Sequence, residues 1–188
     1  MTGTAGSRIV FTGGPGSGKT TLVEALAARG FAVAPEAGRS VIRDQLTVDG
    51  PALPWQDAAL YTELMLAEAL RAHRAVEPGA RPVFFDRGVV DVYAYCRLRG
   101  AAPAGHLRRA AAEVRYDTRV FLAPTWPEIY VRDTERRQSY EEAVRTEEAC
   151  AAAYRLHGYE VVPLPRATVT ARVDFVLAAL NPPRTPGN

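Results

Sequence analysis

Gly13-Gly14-Pro15-Gly16-Ser17-Gly18-Lys19-Thr20-Thr21 follows directly on the apolar run Ile9-Val10-Phe11 and leads into an Ala/Leu-rich stretch that closes at Gly30. Its spacing fits G-x-x-x-x-G-K-S/T with Gly13, Gly18, Lys19 and Thr20 in place, the pattern of a phosphate-binding loop (P-loop) set between a buried strand and a helix. Glycines let the backbone curl so that successive N–H groups point inward at phosphate oxygens, and the helix that starts there adds the positive end of its dipole. Gly13, Gly14, Pro15, Gly16, Ser17, Gly18, Lys19, Thr20 and Thr21 are therefore the expected triphosphate site. Lys19 would reach the β and γ phosphates, and Thr20 would hold Mg²⁺ through its hydroxyl. A glycine-rich turn arising by chance is the alternative. Against it stands the distribution of basic residues: Lys19 is the only lysine among 23 of them, and arginine's planar fork does not replace a compact ammonium between phosphates.

Outward from this loop, buried strands and helices alternate. Residues 8–12 read as a strand, 19–29 as a helix stopped by Gly30, 31–35 as a second strand and 37–45 as a helix. A Pro/Gly-punctuated loop over 47–54 leads to a long helix over 55–76, expected to carry Leu60, Leu64 and Ala67 on one face. Residues 82–86 form a third strand, 89–99 and 105–115 helices, 118–123 a fourth strand and 161–164 a fifth, with a charged, largely helical segment between these last two. Val169, Val173, Val176, Leu177 and Leu180 recur at helical spacing. The fold class is α/β: a mainly parallel sheet with helices on both faces and ligands at the carboxyl ends of its strands. A single domain is expected over residues 1–181, with a flexible tail over 182–188.

The polar motifs all stand just after predicted strands. VFFDRG, residues 83–88, puts Asp86 where it can help hold Mg²⁺ and Arg87 where it can neutralise phosphate or orient an acceptor; a plain strand-end ion pair is the alternative. In PEAGR, residues 35–39, Glu36 is the candidate to take a proton from an attacking hydroxyl, or else a helix N-terminal carboxylate that complements a dipole. Arg39, one turn on, contacts an acceptor or pairs with Glu36. IYVRDTERRQSY, residues 129–140, carries Arg132 and Arg136 one helical turn apart with Arg137 beside them, an arginine-rich lid over about 127–140 that would neutralise charge on a transferred phosphoryl group. A solvated helix laced by Asp133 with Arg137 is the competing reading.

The chain has no lysine after Lys19 and no asparagine before Asn181, which disfavours the guanine-reading Asn-Lys-x-Asp motif of Ras-like GTPases. No glutamate follows Asp86, unlike many mechanical and transport ATPases. A net charge of +2 without a like-charge block points to no nucleic acid partner and no polybasic anchor. The small, polar N-terminal stretch resembles neither a signal peptide nor a membrane span, so a cytoplasmic protein without membrane insertion is expected. Cys96 and Cys150 are read as buried free thiols, and His73, His106 and His157 lack metal-ligand spacing. Tyr61, Tyr93 and Tyr95 line an acceptor pocket or belong to the core.

VFTGGPGSGKTTL, PEAGR, FFDRG, YDTRVFLAP, WPEIYVRDTERRQSYEEAVR and GYEVVPLP together resemble, over almost the whole chain, a compact P-loop family. It is often labelled AAA-domain ATPases and includes the ribosylnicotinamide kinase domain of the bacterial NAD-biosynthesis regulator. The resemblance implies a nucleoside-kinase-like P-loop NTPase fold with a five-stranded sheet in the order 2-3-1-4-5, in which Lys19 and Thr20 bind the triphosphate and Mg²⁺. It likens Glu36 and Asp86 to the acceptor-side and metal-side carboxylates of such kinases, and Arg132, Arg136 and Arg137 to their lid arginines. The resulting expectation is a Mg·ATP-dependent kinase acting on a hydroxyl of a nucleoside-like or other small-molecule acceptor, with GTP left open as donor and a homodimer left open as assembly. A nucleotide-dependent switch or slow NTPase working through a protein or lipid partner is the alternative, and a toxin or resistance kinase differs only in its acceptor.

Overall fold

The computed structural model describes residues 7–76, 81–129 and 139–180. From β1 (Arg8–Gly13) the chain passes through the glycine loop into α1 (Lys19–Ala28), the short β2 (Ala32–Ala34), α2 (Ala37–Thr47) and α3 (Ala58–Ala75). It continues through β3 (Val83–Asp86), α4 (Val89–Leu98), α5 (Gly105–Glu113) and β4 (Arg119–Ala123). A single 3-10 turn (Pro127–Ile129) precedes α6 (Tyr140–Leu156), β5 (Glu160–Pro163) and α7 (Val169–Leu180). The five strands pair in the order β2-β3-β1-β4-β5, all parallel, as expected.

The apolar run in β1 is uninterrupted because both faces of the sheet are covered. Ile9 and Phe11 point into one layer with Leu22 and Leu26 of α1 and Val173 and Val176 of α7. Val10 points into the other, with Phe85, Met65, Val89, Val90 and Tyr154. Phe11 stacks on Phe84 with ring centres 5.7 Å apart, and Phe31 meets Phe84 edge-on at 5.3 Å, so adjacent strands are locked by aromatic contact as well as by the ladder. Register then fixes the site: Phe11 pairs with Asp86 and Gly13 with Ala123, which brings the ends of β1, β3 and β4 together beneath the glycine loop.

Several boundaries and faces differ from expectation for identifiable reasons. The helix expected over 55–76 starts at Ala58, because the Asp57 side chain accepts from the Leu60 amide at 2.9 Å and caps it. Its inward face is Tyr61, Met65, Leu66 and Ala69, with Leu64 of the expected face partly buried against the core, whereas Leu60 is 39% exposed and Ala67 faces solvent. Cys150 is buried but Cys96 is only half-buried, on the last turn of α4. α6 starts at a reciprocal cap, with Ser139 Oγ accepting from the Glu142 amide and the Glu142 carboxylate accepting from the Ser139 amide. Arg132, Arg136 and Arg137, with most of the expected lid, and the tail over 182–188 lie outside the described residues. No helix among the described residues is long and apolar enough to cross a membrane.

Candidate active site

The loop is threaded where only glycine fits. A Cβ on Gly13, whose φ is +130°, would stand 2.3 Å from the Ala123 carbonyl oxygen, and one on Gly14 would stand 2.3 Å from the Ala143 carbonyl oxygen of α6. Gly16 and Gly18 take φ near 75° and 78°, conformations that β-carbons oppose. Ser17 Oγ donates to the Gly14 carbonyl at 2.9 Å and closes the curl. Lys19 is buried, and its Nζ donates to the carbonyls of Gly14 (2.7 Å) and Gly13 (3.3 Å) and to Ser17 Oγ (3.2 Å). Burial, then the charge of Arg87, pulls its pKa down to about 8 against the attraction of Asp86, Glu36 and Asp91. An ammonium so placed gains much from an added anion.

Thr20 Oγ1 donates to Asp86 Oδ2 at 2.9 Å, while Asp86 Oδ1 is buried with no hydrogen-bond partner. Burial and the nearby Glu36 raise the Asp86 carboxyl against the opposing pull of Lys19 and Arg87. A buried oxygen without a partner, beside a hydroxyl, fits a hard cation that keeps much of its remaining coordination for water and phosphate, which is how Mg²⁺ binds. Among the described residues no group of three His, Cys, Asp or Glu side chains gathers to hold a metal. Thr21, next on α1, is exposed and is not part of the cavity wall.

Arg87 has a left-handed backbone, with φ 73°, a costly conformation for a residue with a side chain. It directs the guanidinium between two carboxylates: Nε lies 2.9 Å from Glu36 Oε1 and Nη1 lies 3.1 Å from Asp91 Oδ1. Arg39 Nε reaches the other oxygen of Glu36 at 3.1 Å. Glu36 stands at the N-cap of α2 but makes no side-chain cap bond, because both oxygens face these arginines. Burial pushes its carboxyl up, yet Arg87, Lys19 and Arg39 outweigh burial and hold it below its ordinary value. Burial likewise opposes the Arg87 charge, and Glu36 and Asp91 overcome that opposition.

Asp91 was not anticipated from the sequence, although an acid four residues after Arg87 at a helix start was a readable signal. Its Oδ1 also accepts from Thr12 Oγ1 at 2.5 Å, and its Oδ2 accepts from the Gly88 amide at 2.9 Å and the Tyr154 hydroxyl at 2.7 Å. One carboxylate therefore ties β1, the β3–α4 turn and α6 to Arg87. Arg172 was also missed: 3% exposed, it donates from Nη1 to the Ser17 carbonyl at 3.0 Å. An arginine within the apolar repeat of α7 was its signal.

A cavity of about 830 Å³ opens between the glycine loop and α2, α3, α4 and α6. Pro15 to Thr20, Glu36, Arg39, Arg87 and Asp91 line it, and α6 adds Glu142, Arg145, Thr146 and Cys150. Tyr61 and Tyr95 also line it, whereas Tyr93 packs on His157 in the core. Trp55 stands in the wall, half-exposed. The Cys150 thiol, 3.9 Å from Arg87 Nη1, is pushed up to about 12 by burial and stays neutral.

A parallel sheet in this order, with a complete glycine loop at its central strand, defines a P-loop NTPase fold. A family model described as an AAA domain matches residues 8–172, and the chain belongs to that family. No curated protein matches it. Among solved structures it is similar to deoxyadenosine kinase from M.mycoides, at 13% identity and TM-score 0.62 over 93% of this chain and 98% of that one. It is also similar to thymidylate kinase from Ehrlichia chaffeensis (19%, TM-score 0.60, 94% and 98%) and from Candida albicans (13%, TM-score 0.65, 94% and 91%). At such identities the likeness is one of fold.

Asp91→Ala leaves Arg87, Tyr154 and Thr12 without their shared partner and is expected to lower stability by about 3–5 kcal/mol, read by urea unfolding. A loss under about 1 kcal/mol, the worth of an exposed pair, would contradict the role of Asp91 as the hub.

Proposed function

We propose that the protein is a Mg·ATP-dependent kinase that transfers the γ-phosphoryl group to a hydroxyl of a small-molecule acceptor. The observation that carries this reading is the half-open cavity in which Glu36 and Arg87 face the glycine loop. A nucleotide switch that acts on a protein or lipid partner has no use for such a pocket beside a carboxylate, whereas a kinase needs one to exclude water.

The loop amides and Lys19 bind the triphosphate, and Arg87 presents positive charge beside the transferred group. Magnesium, held by Thr20 and Asp86, supplies further neutralisation of the phosphate oxygens when bound. Glu36 accepts a hydrogen bond from the acceptor hydroxyl and receives its proton. The acceptor oxygen forms a bond to the γ-phosphorus as the bond from that phosphorus to the β–γ bridging oxygen breaks, and ADP leaves. A carboxyl held low by three cations is a weak base, which suits a loose transition state in which the hydroxyl proton moves late and orientation contributes most. Arg132, Arg136 and Arg137 are the proposed lid arginines that close over the nucleotide. ATP as donor, the cytoplasm as location and a possible homodimer remain part of the proposal.

Two outcomes follow. At pH values above about 8 the free site holds mostly neutral Lys19, and bound polyphosphate restores its charge. ATP binding is therefore expected to take up protons increasingly as pH rises through that value, read by titration calorimetry in buffers of different ionisation heat; uptake that stays flat across this range contradicts the placement of Lys19. Glu36→Gln should leave Mg·ATP affinity within about twofold and reduce transfer by about 10²-fold or more, while Lys19→Ala loses productive ATP binding. Unchanged transfer in Glu36→Gln would remove Glu36 from the reaction.

A further inference from the structure

We propose that the acceptor is an alcohol carried on a flat apolar body, such as an aryl group, held by surface contact and not by hydrogen bonds to the edge of a nucleobase. This rests on the kinase reading and narrows its acceptor. The side of the cavity built by α3 and the outer part of α4 is largely apolar, with the exposed Arg99 in its lining, whereas α6 brings Glu142, Arg145 and Thr146 to the other side. Tyr61, Met65, Ala69 and Ala72 present one face of α3 at intervals of four, four and three residues, a lining about 16 Å long at 1.5 Å per residue. Alanine at 69 and 72 leaves the gap open where a larger side chain would close it, and Phe85 of β3 with Val92 and Leu98 of α4 complete the wall.

The polar inventory is as informative. No Asn, Gln or His lines the cavity among the described residues. The arginines nearest the reactive carboxylate are occupied by it, Arg87 at 2.9 Å and Arg39 at 3.1 Å. In the apolar part the polar side-chain groups are the hydroxyls of Tyr61 and Tyr95, the Trp55 indole N–H and the exposed Arg99, whose guanidinium lies 5.8 Å from the centre of the Tyr95 ring. A nucleobase placed there would lose water from its ring donors and acceptors and find no amide, imidazole or carboxylate side chain in that part of the wall to match its edge, and each group left unpaired weakens binding by about tenfold or more. A flat apolar body has no such groups. It gains instead from the aromatic walls: Tyr61 and Tyr95 meet edge-on at 5.6 Å, and Trp55, 52% exposed, stands among the lining residues.

The probe is 2-(2-naphthyl)ethanol, compared with adenosine and thymidine on the full chain loaded with a non-hydrolysable Mg·ATP analogue and followed by calorimetry. The naphthyl alcohol should bind at least about tenfold more tightly than either nucleoside. Ala69→Leu, which fills the gap, should weaken it by a similar factor while the ATP analogue still binds within about twofold; Ala72→Leu provides the same reading if the first variant does not fold. Equal or tighter nucleoside binding, no binding of the naphthyl alcohol, or no effect of either folded leucine variant would each overturn the assignment. Failure of the kinase reading looks different: the naphthyl alcohol binds tightly, but with Mg·ATP no phosphate ester of it appears by mass.

Discussion

Arg87 lies between Glu36 and Asp91, 2.9 Å from one carboxylate and 3.1 Å from the other, in an interior where none of the three charges is tolerable alone. Removing ions from water costs several kcal/mol each, and only close pairing with additional hydrogen bonds recovers it. Asp91 meets that condition through Thr12, Gly88 and Tyr154. The geometry therefore propagates: the strained backbone of Arg87 is over-determined, the first turn of α4 is fixed to β1, and α2 is held where Glu36 faces the cavity. An apolar cluster of the same volume would stabilise the fold equally well. The retention of three charges at the mouth of a phosphate loop thus speaks for chemistry more than for stability.

The second constraint is steric. The loop passes so close to the carbonyls of Ala123 and Ala143 that Gly13 and Gly14 admit no side chain, so β4 and α6 act as its walls. Arg172 braces it from α7 through the Ser17 carbonyl. Because α6 both walls the loop and lines the cavity with Arg145 and Thr146, a displacement of α6 alters the phosphate and acceptor ends together. Its serine–glutamate cap holds the first turn of that helix.

The fold was largely legible because its signals are local. A run of apolar residues buried on both faces, the glycines that close α1, α4 and α6, and helical periodicity in α7 specify strand and helix without reference to partners, and the glycine loop names the central strand. Strand order followed from family resemblance and not from any single segment. Glu36 and Asp86 could be singled out because both stand at the carboxyl ends of strands, where ligands collect. What stayed hidden depends on tertiary contact: that Glu36 turns from its helix to two arginines, that Asp91 joins three elements, and that α3 presents Tyr61 and Met65 inward in place of Leu60. Arg145 has no local signature beyond charge, and Arg172 none beyond its place within an apolar repeat. Whether a surface or a cavity receives them is decided by packing.

The central claim is that this cavity gates phosphoryl transfer to an alcohol, and the most direct measurement is release of ADP from Mg·ATP with and without a panel of hydroxylated compounds, with Lys19→Ala as the blank. The account predicts slow release alone, strong stimulation by an acceptor that fits the cavity, and a phosphate ester formed in step with ADP. Rapid release of ADP and inorganic phosphate, indifferent to every acceptor yet abolished in Lys19→Ala, would contradict it and identify the site as a hydrolase.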